Sequence, residues 1–226
     1  MNSNENDIKL IIETLPFWDK LNSVEQNLIL SNIKNKKYKQ GENIHIGEND
    51  CTGIILVKSG VLRTYILSED GREITLFRFT KGDVCILSAS CIINSITFDV
   101  FIDSDTDSEI LVISSTVFQQ ICDKNIYAEN FSYEKTAERF SEVMWAMQQI
   151  LFMSFDKRLA IFLLDETSRN GSNSISLTHE QIAKYVGSAR EVVSRMLKYF
   201  ENEGYVTLYR GGLKIINKDG LKKLTV

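Results

Sequence analysis

The most restrictive stretch of the chain runs from Thr178 to Asn202 and reads as two helices separated by one glycine. In Thr178-His179-Glu180-Gln181 a hydroxyl residue stands three positions ahead of Gln. That is a capping box, and it opens a short helix carrying Ile182, Ala183 and Val186. Gly187 supplies a turn, after which Ser188-Ala189-Arg190-Glu191 reads as a second capping box opening a longer helix to about Asn202. Two helices joined by a short turn containing Gly are the mark of a helix-turn-helix. With Arg190 set at zero and about 100° per residue, Val192, Val193, Met196, Leu197 and Phe200 fall within roughly 200–340°. Arg190, Glu191, Ser194, Arg195 and Lys198 fall within roughly 0–140°. One face is therefore core, and the other presents cations, a carboxylate and a hydroxyl near the helix start. Arg can fork onto guanine O6 and N7, and Glu can accept from cytosine N4. The competing reading is a plain solvated face.

Two further features of the tail agree with a nucleic-acid reading. Tyr205–Tyr209 and Leu213–Ile216 flank Arg210-Gly211-Gly212, which predicts a hairpin wing with Arg210 and Lys214 close to a phosphate backbone. The net charge of −4 looks wrong for a polyanion binder, but it is unevenly spread. Residues 155–226 hold 12 Lys+Arg against 8 Asp+Glu, whereas residues 1–154 hold 14 against 22. A basic tail on an acidic body is expected of a protein that regulates something on a polyanion.

The first half has a different texture. Ile8–Leu15 and Ser23–Ile33 read as short helices, the second with Ser23 as candidate N-cap. From Tyr38 onward, apolar runs of strand length follow one another: 53–58, 61–67, 73–79, 84–87, 96–102 and 109–113. They are punctuated by Gly41, Gly47, Gly60, Gly71 and Gly82, which predicts an all-β sandwich or barrel, and Ser68–Arg72 contains the Asp-Gly of a hairpin turn. After Asp123 the β texture stops. Tyr133, Ala137, Phe140, Met144, Met147 and Leu151 recur at alternating spacings of four and three on a helix of about 25 residues without interior Gly or Pro. This seam packs either on its own β domain or on a symmetry mate, and the length of the helix favours the mate. Ser154–Arg169 predicts another amphipathic helix, closed by Asn170-Gly171.

No run approaches the ~18 apolar residues of a membrane span, and the first apolar stretch is broken by Lys9, Glu13 and Thr14. Neither a membrane partner nor a signal peptide is expected. Cys51, Cys85, Cys91 and Cys122 form no C-x-x-C pair, which points to a reducing, cytoplasmic compartment.

These motifs together resemble the Crp/Fnr superfamily of bacterial transcription regulators, from about residue 15 to the end. Ala189-Arg190-Glu191-Val192-Val193-Ser194-Arg195 is similar to that superfamily's recognition helix, commonly Ser-Arg-Glu-Thr-Val-Ser-Arg. Tyr38-Lys39-Gln40-Gly41-Glu42, Gly47-Glu48, Lys58-Ser59-Gly60, Asp70-Gly71-Arg72-Glu73 and Gly82-Asp83 look like the turns of its cyclic-nucleotide-binding-type β-roll. The resemblance implies an α+β chain: a sensory β-roll with N-terminal helices (1–125), a long dimerisation helix (126–154) and a winged helix-turn-helix (155–226). It implies a non-enzymatic homodimer on a palindromic site in double-stranded DNA, with RNA polymerase as a candidate further partner. The half-site would be related to TGTGA or TTGAT. DNA would be met by Thr178, His179, Ser188, Arg190, Glu191, Ser194, Arg195, Lys198 and Arg210.

The departures bear on the signal. Cyclic-AMP-binding members carry a Gly-Glu-Leu and a later Arg-Ser, whose Arg holds the phosphate. Residues 84–99 contain neither Arg nor Glu, which argues against cyclic AMP. No cysteine precedes Cys51, which argues against an N-terminal iron–sulfur cluster, and a haem would find only His45 in the roll. No metal site is expected; a cupin-type metalloenzyme would need two or three converging histidines. Cys85, Leu87, Ser88, Ser90 and Cys91 lie where members of the superfamily hold their ligands. They are candidates for a thiol-dependent signal or a small apolar effector, against the plainer reading of both cysteines as buried packing. The rival class is a stand-alone ligand-binding or enzymatic β-roll whose tail makes only protein contacts.

Overall fold

Strands that alternate strictly between two apolar environments set the architecture. The structure, a computed structural model, describes residues 5–47, 52–69, 71–86, 88 and 100–225. Its first elements are helices α1 (Glu5–Thr14) and α2 (Ser23–Asn32), then strands β1 (Lys34–Tyr38), β2 (Asn43–Ile46), β3 (Ile54–Ser59), β4 (Leu62–Leu67), β5 (Glu73–Phe79), β6 (Val84–Cys85), β7 (Phe101–Ser104) and β8 (Ser108–Ile113). Helices α3 (Ser115–Cys122), α4 (Ile126–Phe152) and α5 (Phe155–Asn170) follow. The chain ends with β9 (Ser174–Ile175), α6 (His179–Val186), α7 (Arg190–Asn202), β10 (Val206–Tyr209), β11 (Gly212–Ile215) and α8 (Lys218–Lys223).

The strands of the first half form two four-stranded antiparallel sheets, ordered β1-β8-β3-β6 and β2-β7-β4-β5. Between them lies one apolar cluster containing Ile55 and Val57 of β3, Leu62, Phe77 and Phe79, Cys85, Ile102, and Ile110 and Val112 of β8. The alternate residues of the same two strands, Ile54, Leu56, Leu111 and Ile113, face the other way into a second cluster. That cluster is closed by Ile11, Ile29, Phe118, Ala128 and Phe131 from the helices and by Leu15 and Phe17 from the segment between α1 and α2. Side chains point to opposite faces at successive strand positions, so a continuous apolar run is what a strand covered on both faces requires. Gly53, at the entrance to β3, has φ +99, and a Cβ there would collide with the Ile113 carbonyl.

By contacts the chain divides into two compact units, one of residues 1–67 and 76–143, the other of residues 68–75 and 144–226. In the second unit, Leu159, Leu163, Ile175, Ile182, Val193, Leu197, Phe200, Leu213 and Ile215 enclose a core of their own.

Several local expectations need correction. The N-cap of α2 is Asn22 and not Ser23: Asn22 Oδ1 accepts from the Val24 and Glu25 amides at 2.9 and 3.0 Å, and Glu25 accepts from Asn22 N at 2.9 Å. The strand read over 96–102 is found at Phe101–Ser104, with residues 96–99 outside the described part. Strands β1 and β2 were not legible. β1 is Lys-Asn-Lys-Lys-Tyr, a polar edge strand whose order comes from pairing with β8 rather than from burial.

Cys85 is wholly buried, and burial pushes the Cys122 thiol up to about 12, with Glu129 and Asp123 adding to the effect. A thiol without thiolate character is unreactive. Titration of the native protein with a disulfide reagent at pH 8 should leave Cys85 and Cys122 unmodified, with both reacting once the chain is unfolded. Rapid labelling of either in the native state would contradict this placement.

Candidate nucleic-acid interface

The tail unit builds its exposed face from two capped helices and a three-stranded sheet. At the start of α6 the Thr178 hydroxyl accepts from Gln181 N at 3.2 Å, and the Gln181 side chain accepts from Thr178 N at 2.8 Å. The expected capping box is present. Gly187 ends α6 in the left-handed region with φ +61, and the Ser188 amide donates to Ala183 O at 3.0 Å. The second box does not form. The N-cap of α7 is Ala189, with no side-chain cap, which places Ser188 outside the helix and Glu191 at its second position. A box needs its acidic partner at the third position, so a one-residue shift abolishes it.

Burial along α7 follows the angular reading. Val193, Leu197 and Phe200 are buried, Arg190, Glu191, Arg195 and Lys198 are exposed, and Ser194 is half-buried. Ser194 Oγ lies 2.8 Å from His179 Nδ1, so two of the expected DNA-contacting side chains meet across the two helices. Lys198 is engaged with Glu201 at 2.6 Å, and Glu201 also accepts from the Leu208 amide of β10 at 3.0 Å. The Lys198 ammonium and the Leu208 amide together hold the Glu201 carboxyl below its usual range. A phosphate would therefore compete with Glu201 for Lys198.

The wing is β10 and β11, paired Val206↔Ile215 to Tyr209↔Gly212, with Arg210 exposed at its tip. β9 adds a third strand along β11, which was not anticipated because it is only two residues long. Arg158 was also missed. Its guanidinium donates to Val186 O at 3.0 Å, satisfying a carbonyl left open at the end of α6, and lies over the Phe155 ring. Arg158 sits in a helix whose pattern announces only packing, so nothing local marks it.

On the β-roll side, Ser88 is buried and donates to Gly53 O at 2.6 Å, so its hydroxyl is committed to the backbone. Leu87, Ser90 and Cys91 lie outside the described residues. Among the described residues no group of three or more His, Cys, Asp or Glu is placed to hold a metal ion, and no helix is long and apolar enough to cross a membrane. The Tyr133–Leu151 seam is solvent-facing: Tyr133, Phe140 and Leu151 are 64, 65 and 65% exposed, and Ala137, Met144 and Met147 are exposed too.

A crp/fnr-family protein of Eubacterium rectale, known as a crystal structure, is 47% identical to this chain and superposes with a TM-score of 0.90. The match covers 93% of this chain and 97% of that one. The chain belongs to the Crp/Fnr family. Residues 35–125 match the model of a cyclic nucleotide-binding domain, and residues 157–224 that of a Crp-like helix-turn-helix domain. A Lacticaseibacillus casei protein named as the transcriptional regulator flp is 23% identical over 213 residues, covering 92% of this chain and 94% of its own length. The cAMP-activated global transcriptional regulator CRP of Pasteurella multocida is 25% identical over 172 residues, 74% of this chain and 81% of that one. The protein is thus a Crp/Fnr-type transcription regulator with a helix-turn-helix DNA-binding domain, in a family of regulators and not of enzymes.

Gly187, in the turn between α6 and α7, adopts a left-handed backbone that other residues take up only with strain. A Cβ there would meet its nearest neighbour at 3.4 Å, an ordinary contact, so the cost of Gly187→Ala comes from the left-handed φ alone. That cost is about 1–2 kcal/mol. Urea unfolding of the variant should lower stability by this amount, and an unchanged midpoint would show that the turn does not hold α6 to α7.

Proposed function

We propose that the protein acts in the cytoplasm as a homodimer that reads a two-fold-related DNA site. In this reading residues 1–125 receive a signal, 126–154 dimerise and 155–226 bind DNA. The observation that carries the dimer is the apolar seam of α4, which stands in solvent along with Trp145, Ile150 and Phe152. Exposed apolar stripes of this extent mark interaction surfaces, and a heptad-like spacing suits a second copy of the same helix. Half-site centres about one helical turn apart would match such a dimer. Phe140→Lys or Met147→Lys should place unpaired charge in the seam and release monomers in sedimentation; native protein already monomeric at micromolar concentration would overturn the proposal.

For DNA reading, Arg190, Glu191, Ser194 and Arg195 enter the major groove, with Glu191 accepting from a cytosine and an Arg on a guanine. Lys198 and Arg210 stand near the phosphates, and Thr178, His179 and Ser188 complete the DNA-facing set. The exposed start of α7 and the position of Arg210 at the wing tip support this assignment. Each good base contact is worth about 1–3 kcal/mol of discrimination. Glu191→Ala should relax preference at one base pair per half-site and leave non-specific affinity intact, whereas Lys198→Ala or Arg210→Ala should weaken all sequences alike and flatten the salt slope. Binding-site selection returning the wild-type consensus for Glu191→Ala would remove Glu191 from base reading.

The controlling signal is a small effector or redox input other than cyclic AMP, supported by the absence of Arg and Glu from residues 84–99. Burial of Cys85 leaves a thiol signal resting on Cys91. Native mass spectrometry of the purified protein, read for a co-purifying small molecule, tests this part.

A further inference from the structure

Serine and threonine in helices usually return their hydroxyl proton to the carbonyl one turn back. Thr14, Ser31, Thr136, Ser141 and Ser168 all do so here, each donating to the residue four positions earlier at 2.6–3.2 Å. Ser194 does not. Its hydroxyl is 2.8 Å from Nδ1 of His179, fifteen residues away on the preceding helix. His179 is the first residue of α6, beside the Thr178 cap, and Ser194 lies at about 40° on the α7 face that also carries Arg190, Glu191 and Lys198. The hydroxyl on the groove-facing surface is thus oriented by a neighbouring helix and not by its own.

We infer that His179 is a positioning residue for base specificity, because it dictates which hydrogen-bonding role the Ser194 hydroxyl offers to DNA. This rests on the major-groove reading of α7 proposed above. A neutral imidazole Nδ1 is either acceptor or donor. When it accepts, Ser194 donates to it and turns only lone pairs outward, which fit the amino group of adenine or cytosine. When it donates, the Ser194 proton is released toward the groove and fits guanine O6 or N7, or thymine O4. The accepting imidazole restricts the hydroxyl to the acceptor role, whereas the donating one leaves its proton and a second lone pair for the groove, so the state of His179 sets what one base pair meets through a residue that need not touch a base.

Binding-site selection on the full-length protein tests this with His179→Phe, Ser194→Ala, the double variant and His179→Asn. His179→Phe should shift preference at the same base pair as Ser194→Ala, by about three- to tenfold, the range of one neutral hydrogen bond. The double variant should go no further than either single one. Asn can return a polar atom to the Nδ1 position, so His179→Asn should restore a defined preference at that pair. Imidazole nitrogen NMR gives a readout independent of DNA: Ser194→Ala should move the His179 Nδ1 resonance. If the circular dichroism of His179→Phe shows lost helix, His179→Ala carries the same comparison. His179 variants that keep the wild-type consensus while binding all sequences more weakly would reduce His179 to a phosphate contact and overturn the inference alone. A wild-type protein that enriches no sequence would overturn the major-groove reading with it.

Discussion

The two-sided burial of β3 and β8 is the constraint on which the N-terminal half depends. β3 sends Ile55 and Val57, and β8 sends Ile110 and Val112, into the space between the sheets, while Ile54 and Leu56 of β3 and Leu111 and Ile113 of β8 face the helices. At about 25 cal/mol per Å2 of apolar surface removed from water, no polar side chain could replace these without losing one of the two layers. The hydrogen-bonded register Ile54↔Ile113 to Val57↔Ile110 keeps the two alternations in phase, so a one-residue slip would exchange the layers. Phe79, at the end of β5, and Phe118, from α3, fill the two layers from opposite sides and are both essentially inaccessible to solvent. Helices α1 to α3 then follow as covers for a face that cannot stay wet.

In the DNA-binding unit the backbone groups at both ends of α6 are matched by named partners. Thr178 and Gln181 close the start of α6, and Gly187 and the Arg158 guanidinium close its end. Glu201 joins α7 to β10 through the Leu208 amide. With Val193, Leu197 and Phe200 buried, the opposite face of α7 is held on a helix and left exposed. Rigid elements position recognition side chains better than loops do.

Long periodic segments and turn residues were legible in the sequence because both are local properties. The seam on α4, the Gly171 stop of α5, the capping box of α6 and the apolar face of α7 can all be written from spacing alone. Where expectation and structure part, the deciding partner is distant or the competing signal is one residue away. Asn22 outcompetes Ser23 as a cap because its side-chain oxygen spans two amides at once. Ala189 displaces Ser188 because the turn after Gly187 uses the Ser188 amide to close α6, and α7 begins a residue later. β1 could not be seen because its lysines and asparagine carry no apolar alternation; its partner lies more than seventy residues on.

The sequence by itself determined the succession of a β-rich half, a long helix and a helix-turn-helix with a wing, the resemblance to a regulator family and the poverty of residues 84–99 in groups that could hold a cyclic phosphate. These follow from patterns within a dozen residues, where helix and strand periods and turn chemistry act directly. Only the tertiary structure decided that Cys85 is sealed in the roll, that the Ser88 hydroxyl is already committed to Gly53, that Arg158 ends α6, and that His179 holds Ser194. Each of these depends on which side chain arrives from a remote part of the chain to fill a volume or satisfy a polar atom, and spacing along the chain carries no record of that meeting.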